Sequence, residues 1–167
     1  MLLALFAGGL VAVGRPDVAP AQGSQQHRYI GAKRCGSCHS FAYERWKSGP
    51  HARAHQSLTA EQLADPKCNT CHAMVPEENA ERFAGVQCES CHGPGKYYHP
   101  SYVMKDHELS RALGLAEPTA ETCTQCHSQG VPTIQGFDFE RMWSRIAHGE
   151  RARAAARESN TQRVDAE

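Results

Sequence analysis

The residues best suited to chemistry are eight cysteines, which all fall in four copies of the motif Cys-x-x-Cys-His. This pentad is the attachment motif of c-type haem. Its two thiols add to the two vinyl groups of one porphyrin, and the histidine ligates the iron from the proximal side. We therefore predict four covalently attached haems, each with an iron. The thioether residues are Cys35, Cys38, Cys68, Cys71, Cys88, Cys91, Cys123 and Cys126, and the proximal ligands are His39, His72, His92 and His127.

Other uses of paired cysteines explain the pattern less well. A thioredoxin-like redox site needs one Cys-x-x-Cys and no histidine after it. A Cys₄ zinc site uses the same cysteine spacing, but it does not require a histidine after the second cysteine of each pair. Disulfides within the motifs would close four very small loops and would leave the histidines unexplained. The complete use of the cysteines in one pattern favours haem.

Six histidines remain outside the motifs. A low-spin electron-transfer haem needs a second axial ligand, usually histidine or methionine. The supply of histidines matches the demand of four irons, and Met74 and Met104 are further ligand candidates whose expected role is haem packing. The candidates for the distal positions are His51, His55, His99 and His148, with His107 and His27 less favoured.

The composition predicts a mostly α-helical fold with extensive loops. Aromatic residues make up 7% of the chain, and its mean hydropathy is −0.58, so the protein part of the core should be thin. Four porphyrin faces would supply the missing apolar surface, so we expect short helices wrapped around a haem core. The 18 basic and 18 acidic residues balance. No basic stripe indicates nucleic-acid binding.

The first 21 residues resemble an export segment. Leu2 to Val13 is an apolar run that is too short to span a membrane, and Ala19-Pro20-Ala21 offers a signal-peptidase site. We expect a secretory signal peptide or an uncleaved anchor over residues 1–21, a tetrahaem domain over 22–150 and a polar tail over 151–167. Export would place the protein in the periplasm, either soluble or anchored at its N-terminus.

Several short helices are predicted around the motifs. Residues 41–47 should form one, and Pro50 should start another that carries His51, His55 and Leu58. Residues 101–115 could form a third. The best amphipathic pattern covers residues 137–148 and ends at His148, with Gly149 as the expected cap. Residues 151–167 are polar and Ala-rich, which is typical of a frayed helix or a disordered tail.

Three stretches resemble the tetrahaem cytochrome c-554 family. Gly31-Ala32-Lys33-Arg34 precedes the first motif, and Trp46-Lys47-Ser48-Gly49-Pro50-His51-Ala52-Arg53-Ala54 follows it. Gly85-Val86-Gln87 leads into the third motif, and Gly93-Pro94-Gly95 follows it. The closing segment from Phe137 to Met142, with His148 beyond it, is also similar to that family.

The resemblance implies distal ligands from distant segments. His99 would complete haem 1 opposite His39, His148 would complete haem 3 opposite His92, and His51 would complete haem 4 opposite His127. Haem 2, on His72, would keep one open position. The chain differs from the family in being shorter between haems 1 and 2 and after haem 3. His55 and His107 are unassigned, and either could close haem 2.

The resemblance also implies a function. The expected protein is a periplasmic carrier with haems in stacked pairs, passing electrons from hydroxylamine oxidation towards the membrane. Its partners would be redox proteins: a hydroxylamine-oxidising enzyme as donor, and a membrane quinone or cytochrome partner as acceptor. The alternative is an enzyme that reduces a small nitrogen oxide at an open haem 2, with His55, Glu77, Glu78 or His107 as proton donor. A third hypothesis is a structural or sensory haem module.

Overall fold

Short helices carry the four motifs in the computed structural model, which describes residues 28–74, 81–128 and 136–164. In chain order, the elements of these ranges are α1 (Ala32–Gly36), α2 (Ser40–Ser48), a 3₁₀ helix (His51–Ser57), α3 (Ala60–Ala64), α4 (Pro66–His72), α5 (Cys88–His92), α6 (Ser101–Met104), α7 (His107–Ala112), α8 (Ala120–Thr124), α9 (Phe139–Ile146) and α10 (Glu150–Val164). No strand forms within them, and isolated bridges join Ala73 to Ala84 and Gly85. The prediction of a mostly helical fold is confirmed.

Some predictions concern residues beyond these ranges. The export segment over residues 1–21, His27, and the proton-donor candidates Glu77 and Glu78 lie outside the described residues. Within the described ranges, no helix is both long and apolar enough to cross a bilayer.

Side-chain caps explain where several helices begin. Thr59 forms a reciprocal capping box with Gln62 at the start of α3. Asp65 accepts a hydrogen bond from the Lys67 amide, and Pro66 occupies the first turn of α4, where its missing N–H costs nothing. The second motif therefore begins a new helix immediately after α3 ends.

The segment over residues 101–115 forms two helices rather than one. Asp106 separates α6 from α7, and its carboxylate accepts a hydrogen bond from the Leu109 amide. Aspartate satisfies free amides at a helix start better than it fits a helix interior, so the chain restarts there. Asp138 caps α9 through the Arg141 amide in the same way.

Residues 150–164 form a helix, so of the two expectations for the tail, a frayed helix or a disordered segment, the helical one describes them. The cap of α9 is Ala147, which has extended backbone, rather than Gly149. His148 lies in this break, and α10 follows from Glu150 to Val164. The Ala-rich composition supports this second helix because alanine has the highest helix propensity.

The protein part of the core is thin, as predicted. In the part of the chain that the structure describes, the buried apolar residues are Ala32, Phe83, Tyr98 and Val103. An equal number of polar residues is buried: Asn69, Gln87, Glu89 and Ser110. Because buried apolar side chains are few, polar contacts hold the described helices together to a large extent.

Candidate haem sites

One turn of helix presents each motif. The His39 amide donates to the Cys35 carbonyl at 3.0 Å, and the His127 amide donates to the Cys123 carbonyl at 2.9 Å. The second and third motifs lie inside α4 and α5. Residues at i, i+3 and i+4 share one face of a helix, so both thiols and the histidine point to the same side. This is the arrangement that attachment to a single porphyrin requires.

The proximity of particular thiols shows that the motifs are arranged in two pairs. The Cys35 and Cys88 thiols lie within hydrogen-bonding reach of each other, which raises the pKa of Cys35 and lowers that of Cys88. Burial raises the pKa of Cys126 to about 12, and a hydrogen bond with the Cys71 thiol adds to the effect. The first motif therefore adjoins the third, and the second adjoins the fourth. All eight thiols are free of disulfides.

Buried polar side chains connect the first and third motifs. The Glu89 carboxylate accepts hydrogen bonds from the amides of Ile30, Gly31 and Gly95 at distances of 2.6–3.1 Å. Gln87 accepts from the Ala32 amide at 2.7 Å and donates to two backbone carbonyls. Glu89 is 2% exposed and Gln87 is 5% exposed. These contacts fix α1 against α5.

Two pairs of imidazole rings face each other at the separation that a shared iron would need. The ring centroids of His51 and His127 are 5.9 Å apart, as are those of His92 and His148. A metal–imidazole nitrogen bond is about 2 Å long, so rings on opposite sides of one iron have centroids roughly 6 Å apart. The donor set and its spacing therefore fit haem iron. The Phe137 ring stacks on the His127 ring, with centroids 4.8 Å apart and planes inclined by 19°.

Backbone carbonyls fix the orientation of the histidines. Nδ1 of His72 donates to the Ala54 carbonyl at 2.8 Å, and Nδ1 of His92 donates to the Ala116 carbonyl at 3.0 Å. His99 and His148 also donate from Nδ1, to carbonyls of the Gly95–Lys96 turn and of Ile146. Because a carbonyl can only accept, Nδ1 carries the proton and Nε2 keeps its lone pair for a metal.

Burial also keeps several of these rings neutral. It is the main cause that lowers the pKa of His51, His92 and His127 below the ordinary histidine value. Only the neutral imidazole has a lone pair available for iron. Both facing pairs contain rings of this kind.

The position of His51 depends on a close backbone contact. The Val86 amide donates to the His51 carbonyl at 2.9 Å, and Nε1 of Trp46 donates to the Val86 carbonyl at 2.7 Å. Gly85 has a φ of +76°, and a Cβ added there would lie 2.5 Å from the Ala52 carbonyl oxygen. Only glycine allows the segment before the third motif to approach the start of the 3₁₀ helix so closely.

The other candidate ligands are not paired with a second imidazole in the described part of the chain. His39 and His99 lie in the described part, but no contact joins their rings. His72 has Ala54 and Ser57 as hydrogen-bonding neighbours, and no second imidazole faces it among the described residues. His55 is half-buried, and its Nδ1 has no hydrogen-bond partner. His107 is exposed at the start of α7, and Met74 and Met104 are half-buried.

Sequence reasoning did not identify the residues that hold the sites together. Gln87 and Glu89 flank or occupy the third motif, and Glu89 is the only acidic residue between the two cysteines of any motif. This unusual position was the one feature of the sequence that could have indicated a special role for Glu89. Arg45 was not singled out either; its Nη2 donates to the carbonyls of Ser144 and Arg145 at the end of α9. No sequence pattern indicated that long-range contact.

Comparison with known proteins supports the family resemblance. A family profile described as cytochrome c554 and c-prime matches residues 34–93. Cytochrome c-554 of Nitrosomonas europaea (strain ATCC 19718) is 31% identical over 160 aligned residues, covering 74% of this chain and 68% of the relative. The structure of the reduced state of cytochrome c554 from Nitrosomonas europaea has a TM-score of 0.55 and 23% identity, covering 68% of this chain and 80% of that one.

Proposed function

The chain belongs to the cytochrome c-554 family of c-type electron carriers, and we propose that it transfers electrons between redox proteins in the periplasm. The fold is that of a multihaem c-type cytochrome, and its cofactors are four covalently attached c-type haems. We assign the attachment of each haem to the two cysteines of one motif. The histidine that follows in each motif is the proximal ligand.

The facing histidine pairs support the assignment of two distal ligands. His51 completes haem 4 opposite His127, and His148 completes haem 3 opposite His92. His99 completes haem 1 opposite His39. The family resemblance supports this third pair, and the Nδ1 hydrogen bonds of His99 leave its Nε2 free to ligate. The separation of 5.9 Å in both facing pairs is the observation that carries the proposal.

The ligand arrangement favours electron transfer over bond chemistry. When bound, each haem supplies a one-electron iron couple. In each facing pair the two histidines would hold the iron from both sides, which would keep substrates away from it and would limit its change of geometry on reduction. The carbonyls that accept from Nδ1 of His92 and His148 keep these rings in place. Hydrogen bonds of this kind also raise the basicity of the ligand and so tune the reduction potential of the haem.

The paired motifs support transfer within the molecule. The thiol contacts of Cys35 with Cys88 and of Cys71 with Cys126 indicate two haem pairs, haems 1 and 3 and haems 2 and 4. Cys91 also lies near Cys123 and Cys126, so the two pairs of motifs adjoin each other. Electrons could then pass through all four haems.

We further propose that electrons come from a hydroxylamine-oxidising enzyme and leave towards a membrane quinone or cytochrome partner. Both partners would dock weakly over an exposed haem edge, as is typical of transient redox complexes. Stopped-flow mixing of the oxidised protein with such an enzyme and hydroxylamine tests the donor. Reduction no faster than with hydroxylamine alone would exclude it.

The central test is a haem count with an electron paramagnetic resonance spectrum of the fully oxidised protein. We expect four haems per chain, at least three of them low-spin with two axial ligands. A count below four, or high-spin signals from several haems, would contradict the proposed carrier.

A second candidate function is reduction of a small nitrogen oxide at haem 2. Among the described residues no imidazole faces His72 or His39, but the family resemblance gives haem 1 a distal ligand in His99 and gives haem 2 none. A high-spin signal from one haem, lost when nitric oxide binds one site per chain, would support an open position. Turnover of nitric oxide or hydroxylamine by the reduced protein would then separate an enzyme from a carrier with an open haem.

A further inference from the structure

Two arginines from distant elements reach the same face of α2. Phe41 and Arg45 lie one turn apart on that helix and so share a face. Together with Ser40, Glu44 and Ser48 they line a shallow, open depression on the surface of this helix, which we call the α2 groove. Arg153 of α10 lies over the Phe41 ring, with its Cζ 5.8 Å from the ring centroid. Two guanidinium groups therefore flank one apolar surface.

Each of the two guanidinium groups has a buried N–H donor, at Nε, that no described acceptor uses. The Nε atoms of Arg45 and Arg153 are buried and have no hydrogen-bond partner among the described residues. Arg45 uses Nη2 to donate to the carbonyls of Ser144 and Arg145 at 3.4 and 3.2 Å, and its Nε–H takes part in neither contact. Buried donors are nearly always paired in native proteins, and a charged donor left unpaired is especially costly. The two free Nε donors indicate an acceptor that is not one of the described side chains.

The acceptor that best fits this pair is a carboxylate. Guanidinium groups bind carboxylates through parallel N–H donors, and they also lie against flat apolar groups. Glu44 lines the same groove, but it is exposed and forms no ion pair with either arginine in the described part of the chain. Each haem carries two propionates, which are carboxylates on the edge of a flat apolar ring.

We propose that Arg45 and Arg153 form a clamp for a propionate of haem 1 or haem 3; this inference rests on the haem assignments above. The α2 helix starts directly after His39, the proposed ligand of haem 1. Arg45 also holds the end of α9, which leads to His148, the proposed distal ligand of haem 3. Both haems thus have a ligand anchored next to the groove.

The clamp would have an electrostatic consequence. A reduced haem has one more negative charge than an oxidised one, so a nearby pair of cations favours reduction. Because Arg45 also contacts α9, it links the propionate to the segment that carries His148. Removal of either arginine should therefore lower the midpoint potential of one particular haem and leave the others nearly unchanged.

The test uses the holoprotein with the variants Arg45→Gln and Arg153→Gln. Matched controls are Lys47→Gln, which removes an exposed charge from α2, and Arg151→Gln, which does so from α10. We expect both clamp variants to shift the reduction equilibrium of the same haem by a factor of up to ten, which is 59 mV for one electron. The controls should shift it far less. Arg45→Lys, which keeps the charge but lacks Nε–H, should restore only part of the potential.

Ligand variants identify the haem concerned. The haem whose potential shifts in the clamp variants is compared with the haem whose spectrum changes in each ligand variant. If that spectrum changes in His148→Ala, the propionate belongs to haem 3. If it changes in His99→Ala, the propionate belongs to haem 1. Shifts on two different haems, or shifts no larger than those of the controls, would overturn the clamp. The haem count of each variant shows whether all its haems are attached. A Gln variant that lacks haem is replaced by the Lys variant at the same position, Arg45→Lys or Arg153→Lys. A wild-type count below four would instead refute the proposed carrier.

Discussion

The Glu89 carboxylate accepts a 2.7 Å hydrogen bond from the Gly31 amide, although 58 positions separate the two residues. Glu89 lies inside the third motif, between Cys88 and Cys91, and Gly31 immediately precedes α1, which carries Cys35. The contact therefore connects two haem-binding motifs directly. It also satisfies amides at the start of a short helix that no side chain of that helix caps.

Replacement of Glu89 by glutamine should destabilise the holoprotein. The glutamine amide keeps one acceptor but places N–H donors against the backbone donors of Ile30, Gly31 and Gly95. Because the site is buried, we expect a loss of about 2 kcal/mol in the free energy of unfolding, measured by denaturant titration. The control Glu81→Gln changes the same charge at an exposed position. Equal losses in the two variants would show that the buried hydrogen bonds contribute nothing specific.

Replacement of Gly85 by alanine should disturb His51. Both a positive φ and a clash with the Ala52 carbonyl oppose a Cβ at this position. Gly136 has a similar φ of +69°, but nothing lies within 4 Å of its added Cβ. Gly136→Ala should therefore cost about 1 kcal/mol, the usual penalty for this conformation, and Gly85→Ala distinctly more.

The two glycine variants are compared by denaturant titration and by the spin state of the haems. Only Gly85→Ala should give a partly high-spin haem, because only Gly85 contacts the residue proposed as a distal ligand. Similar stability and unchanged spectra in both variants would mean that the close approach at Gly85 is relaxed at little cost.

The sequence predicted the haem chemistry better than it predicted the contacts that position it. The motifs are local, so Cys35 to His39 already indicates a complete attachment site, and the family and its four haems are confirmed. The cap at Thr59 and the start of the helix at Pro50 also follow from local rules. The split at Asp106 was missed because a helical pattern of apolar residues around Val103 and Leu113 outweighed a single cap.

Long-range contacts had no comparable signal. Nothing adjacent to Arg45 in the chain indicates that it contacts Ser144, and nothing near Glu89 indicates Gly31. These contacts depend on how the helices pack around the haems, and packing is decided by the whole structure. The pairing of His51 with His127 came from resemblance to a family rather than from spacing, and it remains a prediction that the facing rings support.

Replacement of Trp46 by phenylalanine tests the packing of α2 on the segment before the third motif. The change removes the donor to the Val86 carbonyl, a 2.7 Å hydrogen bond, and keeps most of the apolar area. We expect the free energy of unfolding to fall by about 1 kcal/mol. The control Trp143→Phe removes an indole that stacks on Phe139 and donates no hydrogen bond within the described part of the chain. A larger loss in the control would mean that ring size, rather than the hydrogen bond, governs stability.

Replacement of His51 by alanine tests the ligand proposed for haem 4. Because His51 is the ring that faces His127, its loss should turn one haem of four from low-spin to high-spin in the oxidised protein. Electron paramagnetic resonance measures this change, and a haem count confirms that attachment is intact. His107→Ala is the matched control, because His107 is exposed at the start of α7. A high-spin haem in His107→Ala would place His107 on haem 2, whereas unchanged spin states in His51→Ala would leave the facing pair of His51 and His127 as a packing contact.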